Sequence, residues 1–343
     1  MIRSIKKVME LNRYHWNPNN RVMKTLRNIE KDQGKLSSHT IKLCNEYAIE
    51  ILGHKKYAYW LYVYSAIAGG FKEGWIPDRY FKDVVIPKID GDYRALGKHK
   101  SLNNFFFNHN SFPDLASQMN GVFFNKNYKH VSPIDLKNLL FKEVDDIVFK
   151  EDSSMRGRGI HFFNRKNFDI TKIKKLGNGI FQRKIDQHDL FKKFTDNSVA
   201  TLRITTVTNN LGEASARASY LRLGSGSETY LQSESNIRIP IDIKSGDFSE
   251  IAYLANWRAI SEYPISKLSF KGNTIPLFNQ CIELVLDLHT KVPFIGLIGW
   301  DVTIDANDNI MIMEWNSGHC GITLTEATQG PCFADLGWEK LRN

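Results

Sequence analysis

Three oxygen-bearing side chains near the end of the chain, Asp301, Glu314 and Asn316, have the type and spacing of a divalent-ion site. Two apolar, β-branched runs, LIGWDVTI and IMIMEW, flank the turn formers DANDN, which predicts an antiparallel hairpin. With the turn centred on Asn307 and Asp308, paired positions sum to 615, so Asp301 falls opposite Glu314. Opposed residues share a face with Cβ atoms about 4.5–5.5 Å apart, and the two-residue period brings Asn316 to that face. Two carboxylates so close repel each other, and a cation offsets the repulsion. Hard oxygen donors fit Mg2+, with Mn2+ as an alternative, whereas zinc favours His or Cys. The competing reading is a surface hairpin with two unrelated acids.

A second chemical stretch is DIVFKEDSSMRGRGIHFF, where a strand ending in Lys150 runs into a loop bearing Ser153, Ser154, Arg156, Gly157, Arg158 and Gly159. Glycines admit close approach of backbone to an anion, while hydroxyls, amides and guanidiniums attract phosphate oxygens. The loop reads as a phosphate cover and not as a Walker loop, since GKS or GKT is missing. An ordinary exposed hairpin is the alternative. In NGIFQRKIDQHDLFKKF, an extended segment can offer its backbone to an adenine edge, with Gln182, Lys184, His188 and Asp189 as the polar side chains nearby. Arg203, inside the β-rich SVATLRITTVT, and Arg222, in SYLRLGSGS, need a bidentate partner if buried, either a phosphate or a structural carboxylate.

The elements that must position these groups follow from periodicity. Residues 1–95 read as mainly helical: IRSIKKVMEL, RVMKTLRNIEK and TIKLCNEYAIEIL carry apolar residues at three-and-four spacing, and AYWLYVYSAI is an aromatic segment suited to a core. WIPDRYFKDVVIPKIDGDYR breaks the regularity with two prolines and a Gly-Asp turn. From about residue 98, short β runs (GVFF, DIVFK, GIHFF, GIFQRKI, TLRITTVT, ASYLRLG) alternate with helices such as PLFNQCIELVLDLHTK, the pattern of an α+β or α/β domain.

The 343 residues, 42% hydrophobic and 24% charged, suit a globular protein of two or three domains. With neither a signal-like N-terminus nor a long apolar run, the expected location is the cytoplasm. Cys44, Cys281, Cys320 and Cys332 lack a CxxC pair and read as packing thiols; His319 beside Cys320 is a weak nucleophile signal. Of the net charge of +9, residues 1–60 hold +7, from 12 Lys and Arg against 5 Asp and Glu. This basic segment could meet an anionic membrane or a polyanionic substrate, or form a solvated helical face; nucleic acid is not the expected partner.

Taken in order, the Lys150 strand with DSSMRGRGI, FQRKIDQHDLF, SVATLRI, YLRLGSG, GWDVTI and IMEWNSG resemble the ATP-grasp superfamily. The resemblance is specifically to its sugar-transfer-associated branch, related to α-L-glutamate ligase-like proteins, over about two thirds of the chain. The resemblance implies two α+β subdomains, 96–180 and 181–343, with antiparallel sheets enclosing ATP. It further implies Lys150 and Lys100, or in its place Lys98, on the nucleotide; Asp301, Glu314 and Asn316 on Mg2+; and Arg203 steadying the transferred phosphoryl group. The activity it implies is an ATP-dependent carboxylate-amine ligase. The expected substrates are a small-molecule or lipid-linked sugar carboxylate, such as a uronic acid, and an amine, in surface polysaccharide biosynthesis at the inner membrane face. A kinase acting on a hydroxyl, or a binding module using the basic N-terminal face, are the alternatives.

Overall fold

The structure, a computed structural model, describes residues 18–152, 154, 159–195, 198–224, 236–318 and 320–342. They form two compact units. The first gathers the chain up to Lys88, Asn256–Ile260 and the segment from Gly321; the second holds Ile89–Ala255 and Ser261–Cys320. The boundary expected at residue 95 thus falls at Lys88, and the segment from Gly321, expected in the second sheet-bearing subdomain, clusters with the N-terminal helices.

The first unit is helical, with helices Pro18–Gln33, Ser38–Glu46 and Ala58–Ala68. Ser37 caps the second by accepting from the Thr40 amide at 3.0 Å. Ala58–Ala68 stops at Gly69, whose φ of 76° is the left-handed ending glycine permits. Its residues Leu61, Val63, Tyr64 and Ala66 are all buried, as expected of a helix apolar almost all round. The aromatics do pack a core, with Tyr64 5.6 Å from Trp75 and Tyr57 5.1 Å from Tyr80. The C-terminal helix Thr323–Thr328 inserts Glu326 into that core, where its oxygens accept from the amides of Ile76 at 2.8 Å and Cys332 at 2.7 Å. Among the described residues no helix is long and apolar enough to cross a membrane.

The second unit is built on two antiparallel sheets. One contains β1 (Asp114–Met119), β2 (Val122–Asn125), β3 (Asp146–Glu151), β4 (Ile160–Asn164) and β5 (Gly179–Arg183), in the order β2-β1-β5-β3-β4. Alternation sends Ile147, Phe149 and Phe181 to a face covered by Leu136, Leu140 and Ile173, from helices Pro133–Leu140 and Ile170–Leu176. The intervening positions Val148, Lys150 and Gln182 therefore occupy the opposite face. The second sheet orders β6 (Thr201–Thr208), β7 (Ala214–Leu223), β8 (Ile237–Ile241), β9 (Ala252–Tyr253), β11 (Leu297–Ile304) and β12 (Ile310–Ser317) as β9-β8-β7-β6-β11-β12; β10 (Ala259–Ile260) lies in the stretch assigned to the first unit. Helix Phe278–Thr290 packs on β6 and β7. The class is α+β, and β1 and β8 are strands that the sequence pattern did not single out.

Candidate active site

In the β11–β12 hairpin Asp301 stands opposite Glu314, and Gly299 opposite Asn316. The turn that produces this pairing differs from the expected one. Asp305 N–H donates to the Asn309 carbonyl at 2.9 Å and Asp308 takes a φ of 60°, so the loop has three residues and the pairs nearest it, Ile304 with Ile310 and Val302 with Ile312, are displaced by one. Met313 has no register partner in β11; this β-bulge restores the alignment before Glu314. Its carbonyl accepts from Lys150 Nζ at 3.3 Å. The bulge therefore links the expected acid pair to the expected phosphate lysine.

Asp301 is buried, and both its oxygens are engaged: Arg203 Nε donates to Oδ1 and Arg222 Nη2 to Oδ2, each at 2.6 Å. Strand register explains the triad, because Arg203 lies directly across from Asp301, and Arg222, two residues from its other neighbour Tyr220, shares that face. Burial pushes the Asp301 carboxyl up, but the two guanidiniums outweigh it and hold it at about 2. Arg203 also donates to the Cys320 carbonyl. The carboxylate alternative raised for Arg203 and Arg222 is thus the one seen. Cys320 itself is buried, which drives its thiol well above the usual range and removes it as a nucleophile; His319 lies outside the described residues.

Glu314 is 28% exposed and receives Lys100 Nζ at 3.4 Å. Asn316 donates through Nδ2 to the Gly299 carbonyl at 3.1 Å, so its amide oxygen is the atom left for a cation. Guanidinium and ammonium groups, then, supply the charge that offsets the two acids here. Glu314 and the Asn316 amide oxygen fit a hard divalent ion, while Asp301 would have to release a guanidinium to join them. Among the described residues, no group of three or more His, Cys, Asp or Glu side chains is placed to hold a metal.

Lys150 is depressed below the ordinary lysine range, first by burial and further by the like charge of Lys100, with Glu314, Asp114 and Asp301 opposing. Asp114 was not anticipated. A bulge at Leu115 places Asp114 opposite Gln182 and Ala116 opposite Phe181, so the two fall on different faces although two positions apart. Asp114 thereby leaves the apolar face and accepts from Gln182 Nε2 at 2.6 Å and Asn103 Nδ2 at 3.3 Å. Burial pushes its carboxyl up to about 6 against those hydrogen bonds. Alternation in DLAS gives no sign of this reversal.

Lys100 is buried and Lys98 exposed, which separates the two lysines left open by the sequence. Lys100 Nζ also reaches the carbonyls of Ser154 at 3.2 Å and Glu151 at 3.4 Å, so it ties the base of the serine loop to Glu314. Gly159 closes that base with a φ of 67°; a Cβ there would lie 2.8 Å from the Ser154 Cβ. Ser101 adds a clamp, its hydroxyl and amide both donating to Asp152. Ser153, Arg156, Gly157 and Arg158 lie outside the described residues.

The adenine segment divides. Gln182 is buried within the cluster just described. Lys184 is exposed, 3.8 Å from Asp146. His188 caps the short helix Asp189–Lys192 by accepting from the Leu190 amide, and its other ring nitrogen lies 3.4 Å from Asp308, at the tip of the hairpin and not at its acid pair. Asp189 is exposed beside Lys192. The structure therefore groups Lys100, Lys150, Ser154, Gln182, Arg203, Arg222, Asp301, Glu314 and Asn316, and sets the side chains of Lys184, His188 and Asp189 apart.

A family model described as "Sugar-transfer associated ATP-grasp" matches residues 122–336, more than half of the chain. The chain belongs to this family. Solved structures similar to this ATP-grasp chain include biotin carboxylase from Campylobacter jejuni in complex with β,γ-ATP, at 10% identity and a TM-score of 0.46 over 93% of this chain and 68% of that one. They also include the biotin carboxylase domain of the Hydrogenobacter thermophilus 2-oxoglutarate carboxylase, at 11% identity and a TM-score of 0.43 over 72% and 45%. The ATP-grasp ligase PsnB matches at 12% identity and a TM-score of 0.37 over 67% and 55%. The chain spans about half the length of the first solved structures it matches. A comparison with curated proteins finds no match.

Proposed function

We propose that the protein is an ATP-dependent carboxylate-amine ligase that forms an amide through an acyl phosphate. One observation carries the reading: among the described residues four cationic side chains, Lys100, Lys150, Arg203 and Arg222, gather about three acids, Asp301, Glu314 and Asp114, in a largely buried cluster. Surplus buried positive charge calls for an anion, and Arg222 Nε is buried with no hydrogen-bond partner among the described residues. Phosphate oxygens satisfy both requirements. ATP is the nucleotide that membership of the family supports.

In the first step a substrate carboxylate oxygen bonds to the γ-phosphorus, the bond to the bridging oxygen breaks, and ADP leaves. In the second, the amine nitrogen bonds to the acyl carbon, the carbon–oxygen bond to phosphate breaks, and the nitrogen loses a proton to solvent or a nearby base. Lys150 and Lys100 bind and orient phosphate oxygens; Asp301 fixes Arg203 and Arg222 side by side, and the two guanidiniums steady the transferred phosphoryl group. Such preorganised charge is the main source of acceleration in phosphoryl transfer. Glu314 and the Asn316 amide oxygen would hold Mg2+ (or Mn2+), with Asp301 beside them; the ion supplies neutralisation of phosphate charge. The loop whose base Lys100 holds would keep water from the acyl phosphate.

The acceptor in this reading is a sugar carboxylate, small or lipid-linked, in surface polysaccharide synthesis. The family's description and the basic N-terminal segment support that choice. The test is ADP release over uronic acids and sugar nucleotides crossed with amino acids. Amine-dependent release with an amide product supports the ligase, whereas release tied to a new phosphomonoester makes the protein a kinase.

A further inference from the structure

Within the first unit a cavity of about 500 Å3 has Tyr47, Glu50, Glu73, Glu339, Lys340 and Arg342 in its lining. That volume lies inside the range of about 300–1,000 Å3 typical of small-molecule sites, far larger than one ion needs. Two of the groups that line it are buried polar atoms that ordinary packing leaves unsatisfied. The Tyr47 hydroxyl, on a residue 6% exposed, and Glu339 Oε2 have no hydrogen-bond partner among the described residues. Buried polar atoms are almost always paired, so two orphans lining one cavity point to something that pairs them.

The chemistry of that partner follows from charge. Tyr47 is kept protonated, first by burial and then by the negative charge of Glu339 and Glu73, while the Gly74 amide approaches its oxygen outside hydrogen-bond geometry. A neutral phenol oxygen and a carboxylate oxygen are both acceptors, and an ammonium group carries three donors and no acceptor. An anion would be repelled by Glu339 and Glu73. The basic wall of the cavity does not cancel this preference, because Lys340 is exposed to solvent and Arg342 is turned to the backbone: its Nη2 donates to the Glu50 carbonyl at 2.9 Å, and its guanidinium lies against Gly53. A bare metal is disfavoured, since among the described residues no three His, Cys, Asp or Glu side chains gather to hold one.

We propose that this cavity binds a small organic amine, whose ammonium donates to Tyr47 Oη and Glu339 Oε2. The site lies wholly in the first unit and needs no nucleotide, so its failure would leave the ligase reading untouched. Isothermal titration of the full chain without ATP should detect binding of at least one of putrescine, L-lysine and ethanolamine, with glutarate and MgCl2 at matched ionic strength giving none. Tyr47→Phe and Glu339→Gln should each weaken that binding by about tenfold or more, the equivalent of one lost charge-assisted hydrogen bond. Their unfolding midpoints should stay near that of the parent, and Glu50→Gln at the exposed rim should change binding by less than about twofold. No heat from any of the three amines overturns the assignment. So does equal binding of glutarate or Mg2+, or amine binding that survives both Tyr47→Phe and Glu339→Gln in folded protein.

Discussion

Two fully buried carboxylates, one in each unit, are driven in opposite directions. Asp301 in the second unit is held at about 2 and Glu326 in the first is pushed up to about 7. Burial raises both. The difference lies in what opposes it: Asp301 meets the guanidiniums of Arg203 and Arg222, whereas Glu326 meets the backbone amides of Ile76 and Cys332. Amide dipoles satisfy its hydrogen bonds but bring no countercharge. The first acid is locked in its charged form and can organise a site for anions; the second is a hydrogen-bonded brace of the helical core.

The largest expected effect is that of Asp301→Ala, which would leave two guanidiniums buried without their anion. It should cost about 3–5 kcal/mol and abolish ADP release; an unfolding midpoint equal to the parent's would show the pairing to be inconsequential. Second is the pH dependence that Glu326 imposes. Its folded value of about 7 exceeds the ordinary 4.5, so its contribution is fully present below 4.5 and is lost as pH rises to 7, by about 3 kcal/mol at 1.4 per unit. Asp301 does the reverse, losing stability only as pH falls from 3.8 towards 2. Asp114, raised to about 6, shares the sign of Glu326, so Glu326→Gln should lessen the decline between 4.5 and 6, where Asp114 still contributes, and remove it between 6 and 7. Midpoints measured from pH 4 to 8 check this.

Third, Lys150→Met should lower ATP affinity at least about tenfold, the loss of one charged phosphate contact, without loss of stability, because burial already disfavours its charge. Unchanged affinity would remove Lys150 from the nucleotide. The smallest change is expected for Lys184→Ala. An exposed lysine 3.8 Å from Asp146 should contribute less than about 0.5 kcal/mol, and ATP affinity should stay within about twofold, since in the proposed reading this segment would meet adenine through its backbone.

The family-bearing order of motifs was legible because it rests on local signals: β-branched runs, a DANDN turn, a serine-glycine loop. Even the Asp301–Glu314 pairing was legible, although the loop has three residues centred on Asn307 where a turn on Asn307 and Asp308 was expected, and the Met313 bulge compensates. Bulges are not written in alternation, since one inserted residue reverses every face beyond it. For this reason Asp114, moved to the polar face by the bulge at Leu115, escaped notice.

By itself the chain's sequence determined which residues could be strands, which acids could oppose each other, and that Arg203 needed an anionic partner. Only the tertiary structure decided that the partner is Asp301 and that Lys100, not Lys98, is the buried lysine. It also decided that the segment from Gly321 joins the N-terminal helices. The physical reason is that side-chain period and turn chemistry act over a few residues. Countercharge and burial, which set what Asp301, Glu326 and Lys150 become, depend on groups up to about 250 positions away.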